Sequence, residues 1–180
     1  MRIKAEDTMA MIVDYQESLM KVMYQGDELE KNASILIKGL KALGIPMMIT
    51  QQYTKGLGNS VQSVYQAAGT EEYYDKKTFS CWKDDVISDK VKSFGKKNII
   101  ICGIETHICV LQTCIDLKEN GYQPILITDC VSSRKKSDKD TAVSRAGQEG
   151  ILVSTYESIL FELLEKAGSD TFKAISKLIK

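Results

Sequence analysis

The 180-residue chain has little of what several functional classes require. Its only histidine is His107, and no two cysteines stand in a C-x-x-C spacing, so it lacks the ligands of a structural zinc site. Its 24 basic and 24 acidic residues leave no net charge, and the longest basic cluster is the three residues 134–136. No run approaches the roughly 18 apolar residues of a membrane helix. We therefore expect no metal site, no nucleic-acid partner and no membrane partner.

The cysteine content and the first residues bear on the compartment. Five cysteines cannot all pair in disulfides, and residues 1–7 lack the apolar stretch of a secretory signal peptide. These features predict a cytoplasmic protein with reduced thiols. The hydrophobic fraction of 43% is that of an ordinary globular chain, and no linker divides it. We expect one domain over residues 1–180.

Short apolar runs alternate with segments of helical periodicity along the chain. This alternation is typical of a parallel sheet covered by helices on both faces. The predicted strands are residues 9–13, 47–50, a short run around 74–80, 98–102, 125–128 and 151–154. The predicted helices are residues 29–43, 85–94, 105–120, 140–148, 158–166 and 171–179.

In such sheets ligands bind beyond the carboxyl ends of the strands. The residues that follow the predicted strands are Asp14, Gln51 and Gln52, Lys76 and Lys77, residues 103–109, and Asp129. No phosphate-binding loop is among them, because Gly56 and Gly58 are followed by Val61 where a third glycine would stand. A phosphoacceptor receiver domain would need an acid-rich pocket, and the first strand supplies a single terminal acid. The balanced charge favours small neutral or mixed-charge ligands.

Residues 99–109 lead from a strand through a glycine turn into a helix, with Cys109 near the first helical turn. Unpaired N–H groups at a helix N-terminus favour an anion, so we expect a lowered thiol pKa and a nearby oxyanion hole. Free cysteines are more often inert packing residues. We keep that interpretation for Cys102, Cys114 and Cys130.

A nucleophilic Cys109 needs a base. His107 is only two residues away, and side chains at that helical spacing point to different faces. The base is therefore expected to be a carboxylate, for which Asp14 ends a neighbouring strand. Lys76 supplies a cation that balances the local charge.

Three stretches give these residues a family context. IVDYQE at 12–17, KKTFS at 76–80 and GIETHICV at 103–110 resemble, in order and spacing, the three motifs of the isochorismatase-like cysteine hydrolases. QYTKGLG at 52–58, DCVSSR at 129–134 and FKAISKLIK at 172–180 resemble the isochorismatase-domain-containing branch of that superfamily. The likeness spans nearly the whole chain.

The resemblance implies a three-layer α/β/α sandwich with a mostly parallel sheet, which acts as a hydrolase and forms a homo-oligomer. Carried over by position, the catalytic residues are Asp14, Lys76 and Cys109, and the backbone N–H groups of Glu105 and Cys109 form the oxyanion hole. Lys76 is preferred to Lys77 because it stands three residues before Phe79. The resemblance also implies a cis peptide bond between Ile104 and Glu105.

Departures from related families limit the substrate. Nicotinamidases of this superfamily carry a metal site with several histidines after the second strand, and residues 51–60 contain none. True isochorismate hydrolases lack the cysteine and cleave an enol ether. We therefore expect no metal or other cofactor, and cleavage of an amide or related C–N bond. Expected substrate-binding residues are Gln52, Tyr53, Phe79 and Trp82.

Two interpretations from other functional classes remain open. One is a catalytically silent binding protein that retains the scaffold, because a fold does not dictate an activity. The other is a thiol redox sensor at Cys109. Turnover of an amide that is lost in Cys109→Ala distinguishes an enzyme from both.

Overall fold

The computed structural model describes residues 1–180, which form a six-stranded, all-parallel sheet with helices on both faces. The α/β class expected from the sequence is therefore confirmed. The strands are β1 (Thr8–Val13), β2 (Met47–Gln52), β3 (Tyr74–Lys76), β4 (Asn98–Ile104), β5 (Gln123–Ser132) and β6 (Leu152–Ser154). The helices are α1 (Glu17–Met20), α2 (Gly26–Ala42), α3 (Thr54–Leu57), α4 (Gln62–Ala68), α5 (Asp85–Phe94), α6 (Leu111–Glu119), α7 (Lys136–Gln148), α8 (Tyr156–Leu164) and α9 (Asp170–Ile179).

The two central strands are buried along their whole length. Every residue of β1 and of β4 is buried, which explains their near-continuous apolar sequences. Successive side chains of β1 enter opposite layers. Ala10 and Ile12 belong to the core that α2, α8 and α9 cover, whereas Met9 and Met11 belong to the core that α5, α6 and α7 cover.

Several element boundaries differ from those expected. β4 continues to Ile104 and β5 covers Gln123–Ser132, because both strands stay buried beyond the apolar runs predicted from the sequence. The helix predicted over residues 105–120 is divided into a π-helical turn at Thr106–Val110 and then α6. This π turn holds Cys109.

The polar stretch at residues 51–69 contains two short helices, α3 and α4, that the sequence analysis missed. Each is too short for a helical period to be recognised. α4 nevertheless buries Val64, Tyr65, Ala67 and Ala68. None of the chain's helices is both long enough and apolar enough to cross a membrane.

The strand order β3-β2-β1-β4-β5-β6 places a topological switch point between β1 and β4. Val13 lies in register with Gly103, so the carboxyl ends of both strands open into the same crevice. Gly103 has a φ of 141°, and a Cβ there would lie 2.1 Å from the Val13 carbonyl oxygen. A glycine is therefore required for β4 to pass this close to β1.

Candidate active site

Asp14 occupies the crevice at the end of β1. Its φ of 53° is in the left-handed region, which is uncommon for a residue other than glycine and is found where the surroundings impose it. The residue is fully buried. Its Oδ1 accepts a hydrogen bond from Thr50 Oγ1 at 2.8 Å, and its Oδ2 accepts one from Lys76 Nζ at 2.7 Å.

Lys76, the last residue of β3, is also buried, whereas its neighbour Lys77 is exposed. The Lys76 ammonium group faces four oxygen atoms. Besides Asp14 Oδ2, these are Gln52 Oε1 at 2.6 Å and the carbonyls of Thr78 and Phe79 at 3.2 and 3.1 Å. An ammonium has three protons, so every proton of Lys76 has a partner within the protein.

Cys109 lies in the π-helical turn after β4 and is 6% exposed. Its Sγ is 3.9 Å from Gln52 Oε1. The Ile104–Glu105 peptide bond is cis. The Glu105 N–H donates to no backbone carbonyl, and the Cys109 N–H donates to none outside its own turn. The Glu105 N–H is thus left without a backbone acceptor.

The Glu105 side chain anchors the same turn on its other side. Its carboxylate accepts hydrogen bonds from the Arg134 backbone N–H at 3.0 Å and from Arg134 Nε at 3.2 Å. These bonds join the end of β4 to the segment that follows β5.

The electrostatics of Cys109 differ from those expected. Burial raises the pKa of the Cys109 thiol, the neighbouring Asp14 carboxylate raises it further, and the Lys76 cation only partly offsets both. The expectation of a lowered pKa is therefore wrong, because the sequence reasoning weighed the helix N-terminus and not the burial. The resting group is a neutral thiol.

The pKa of Lys76 moves the other way from what burial alone would cause. Burial disfavours the ammonium, but the facing Cys81 and the Asp14 carboxylate outweigh it, and the net shift is upward. Lys76 is therefore a permanent cation over the working pH range. The ion pair with Asp14 has no exposed side-chain surface on either partner.

Three supporting residues, Thr50, Cys81 and Thr113, were not predicted from the sequence. Thr113 Oγ1 donates to the Cys109 carbonyl at 2.6 Å and accepts from the Cys81 backbone N–H at 2.9 Å. Thr50, besides its bond to Asp14, lies 3.7 Å from Cys81 Sγ. Thr113 follows Cys109 by four residues, a helical spacing that was the one available signal.

Of the four expected substrate-binding residues, Gln52 contacts the Lys76 ammonium through its side chain and Phe79 through its carbonyl, and the binding roles stay a prediction. Gln52 lies between Lys76 and the thiol, as described. Tyr53 is 47% exposed, and its ring lies over Gly56, where a Cβ would come within 2.4 Å of the ring. Phe79 is 56% exposed and lines a cavity of about 420 Å³ together with His107 and Leu111.

Trp82 is not brought to the crevice. Its ring packs edge-to-face on Tyr122, with centroids 5.3 Å apart, and lies beneath the Lys92 ammonium. The 3₁₀ turn Cys81–Lys83 buries Cys81 completely and directs Trp82 over the helical layer. Trp82 is therefore close to a strand end in the sequence, but its ring does not lie near the crevice in the folded chain.

His107 lies apart from the thiol, in agreement with the helical spacing. Its Nδ1 is 2.8 Å from Ser133 Oγ, and its Nε2 is 4.0 Å from Asp138 Oδ2. No group of three or more His, Cys, Asp or Glu side chains comes together in a way that could hold a metal ion.

The parallel sheet, the helices on both faces and the crevice at the switch point define a three-layer α/β/α protein with a site for a small-molecule ligand. The chain belongs to the isochorismatase family, because the model of the isochorismatase domain matches residues 8–158. Membership of this family supports a hydrolase.

Individual relatives agree with this assignment. Isochorismatase domain-containing protein 2 from Danio rerio is 34% identical over 179 residues, which cover 99% of this chain and 89% of that protein. The structure of MAR1 ribonuclease from Caenorhabditis elegans is 32% identical, with a TM-score of 0.91 over 99% of this chain and 92% of that one. The YcaC product of Escherichia coli, described as an octameric hydrolase of unknown specificity, shares the fold at 23% identity and a TM-score of 0.87, over 92% of this chain and 83% of that one.

Proposed function

We propose that this protein is a cysteine-dependent hydrolase that cleaves an amide or a related C–N bond of a small molecule through a thioester intermediate. One observation carries the proposal. A fully buried Asp14–Lys76 ion pair, with 2.7 Å between Nζ and Oδ2, adjoins the Cys109 thiol at the switch point of the sheet. Buried charges of this kind are costly to a fold and cluster at functional sites.

In the first step Asp14 accepts the proton of the Cys109 thiol, and the sulfur attacks the acyl carbon of the substrate. The carbonyl oxygen becomes an oxyanion, for which the backbone N–H groups of Glu105 and Cys109 are the proposed donors. The Glu105 N–H has no backbone acceptor, which supports that role.

In the second step the C–N bond breaks, and Asp14 returns the proton to the leaving amine. A water molecule then attacks the thioester, which releases a carboxylic acid and restores the thiol. Lys76 contributes a fixed positive charge throughout, since its protons are already taken by protein oxygens. The reaction needs no cofactor.

Two wider properties are part of the proposal. We propose a homo-oligomer, a hypothesis that the octameric description of the YcaC protein supports. We also propose a cytoplasmic location, because the five cysteines are buried and unpaired and the nucleophile must stay reduced.

The test is turnover of a panel of small primary and secondary amides. Wild type is compared with Cys109→Ala and with Cys114→Ala, a matched change at a second buried cysteine. We expect turnover in wild type and in Cys114→Ala and none in Cys109→Ala, together with an acyl adduct on Cys109 by mass spectrometry. Turnover that persists in Cys109→Ala would contradict the mechanism.

The same variants test the ribonuclease activity named for the Caenorhabditis elegans neighbour. The chain has no net charge to attract a nucleic-acid backbone, so we expect no cleavage of RNA. RNA cleavage by wild type without amide turnover would replace the proposed substrate class.

A further inference from the structure

The Gln52 side chain is held in one orientation by partners on both ends of its amide. Its Oε1 accepts from Lys76 Nζ at 2.6 Å, and its Nε2 donates to the Lys77 carbonyl at 3.0 Å. Exchanging the two amide ends would set an NH₂ against the Lys76 ammonium and an oxygen against a carbonyl. The hydrogen-bond network therefore fixes which end faces the site.

The Gln52 backbone is fixed as well. Its N–H donates to Gln16 Oε1 at 2.7 Å, and its carbonyl accepts from Gln16 Nε2 at 3.0 Å. The same Gln16 Nε2 donates to the Gly58 carbonyl at 2.7 Å. This double clamp from a fully buried side chain leaves Gln52 little freedom to turn toward a ligand.

One oxygen of Gln52 faces both members of the site that carry labile protons. It is 2.6 Å from the Lys76 ammonium and 3.9 Å from Cys109 Sγ. We propose that Gln52 is a positioning residue, not a substrate contact: its oxygen restrains Lys76 and favours the protonated thiol of Cys109 in the resting enzyme. This assignment rests on the proposed function of Cys109.

Two consequences follow from the electrostatics. The Gln52 oxygen carries partial negative charge, so it accepts from an S–H group and opposes a thiolate. The ionisable groups that act on the thiol are the Asp14 carboxylate, the Lys76 ammonium and the Cys81 thiol. A substitution at Gln52 can add a charge beside the thiol or remove the partial charge of the amide oxygen, while all three of these ionisable groups stay in place.

The cost of removing the oxygen is limited by the number of acceptors around Lys76. Without Gln52, three oxygens remain for the three ammonium protons. Gln52→Met, which is nearly isosteric and apolar, is therefore expected to fold with the ammonium still satisfied. Gln52→Glu keeps the shape and adds a negative charge.

The experiment measures alkylation of Cys109 by iodoacetamide, an uncharged reagent, at fixed pH values between 7 and 9. In this range the pH lies below the pKa of the Cys109 thiol, so the alkylation rate follows the fraction of thiolate. A shift of one pKa unit therefore changes the rate tenfold. We expect Gln52→Met to react about fivefold to tenfold faster than wild type and Gln52→Glu about tenfold slower. Gln66→Met, the same substitution at an exposed glutamine of α4, should react at the wild-type rate.

A second measurement separates positioning from substrate binding. With an amide that wild type turns over, Gln52→Met should lower kcat about tenfold and leave KM within twofold. A raised KM with unchanged alkylation would identify a substrate contact and overturn the inference. Alkylation rates that move in the same direction in both variants would overturn it too, since they would report loosened packing only. If no amide is turned over, opposite shifts in alkylation still support the role of Gln52, and the proposed function alone fails.

Discussion

The buried ion pair between Asp14 and Lys76 should contribute to the free energy of unfolding by an amount that its geometry allows to be worked out. At 2.7 Å and an effective dielectric constant of about 20, Coulomb's law gives an attraction of about 6 kcal/mol. Burial of both charges consumes much of this gain. Lys76→Met leaves the carboxylate with only the Thr50 hydroxyl as a side-chain partner, so we expect it to lower the free energy of unfolding by about 3–5 kcal/mol.

A double-mutant cycle isolates the pair. Asp14→Asn removes the negative charge, and the double variant Asp14→Asn, Lys76→Met removes both charges. We expect the double variant to be more stable than the two single losses imply, by a coupling free energy of about 2–3 kcal/mol. Urea unfolding followed by circular dichroism measures all four proteins. Lys77→Met, at the exposed neighbouring lysine, should change stability by less than about 0.5 kcal/mol.

Single losses that add within about 0.5 kcal/mol would refute a direct ionic contact, because residues in such contact must couple. A Lys76→Met variant as stable as wild type would refute it too. Either outcome would mean that the charges are not buried together in solution. A measurement of activity does not depend on this stability cycle. Asp14→Asn should abolish amide turnover because it removes the proton acceptor, while Cys109 should still react with an alkylating reagent.

Three further outcomes follow from the structure. Gly103→Ala should destabilise the protein by about 2–4 kcal/mol in urea unfolding, because its Cβ would collide with the Val13 carbonyl. Gly147→Ala in α7 is the control, since a Cβ there meets nothing within 4 Å, and it should stabilise the protein by about 0.5–1 kcal/mol. Burial raises the pKa of all five cysteines above an ordinary value of 9.0, so the folded state keeps protons that the unfolded state releases. Stability should therefore be fully present below about pH 8 and should fall as the pH rises past 9, by up to about 1.4 kcal/mol per pH unit for each thiol. Cys114→Ala should reduce the slope of stability against pH by the contribution of one thiol. An unchanged slope would refute the link between thiol ionisation and stability.

The strands were predictable because parallel central strands are buried on both faces. β1 and β4 read as unbroken apolar runs, and their order along the chain indicated the layered architecture. The ends of elements were less predictable. The sequence shows where apolar residues stop, but β5 continues through polar residues that tertiary packing buries, such as Ser132.

The residues of the candidate site were found by their position after strand ends and by the family resemblance. The structure places Asp14 and Lys76 in direct contact with Cys109 close to both, and the catalytic roles of the three stay a prediction. Hydrogen bonds between distant segments, such as those of Gln16, leave no periodic or compositional signal in the sequence. The direction of a side chain in a turn leaves none either, and Trp82 was misplaced for that reason.

The raised pKa of Cys109 is compatible with a nucleophilic role once the charge of the whole site is considered. Asp14, Lys76 and a neutral thiol together carry no net charge. Transfer of the proton from the thiol to Asp14 moves the negative charge to sulfur and leaves the net charge at zero. Burial penalises the loss of a proton to solvent, which would leave an unbalanced charge, far more than this internal transfer. The Lys76 ammonium, fixed by protein oxygens, stabilises the negative charge on either partner. A buried site can therefore keep the Cys109 thiol protonated in the free enzyme and form the thiolate only when a bound substrate is present to react with it.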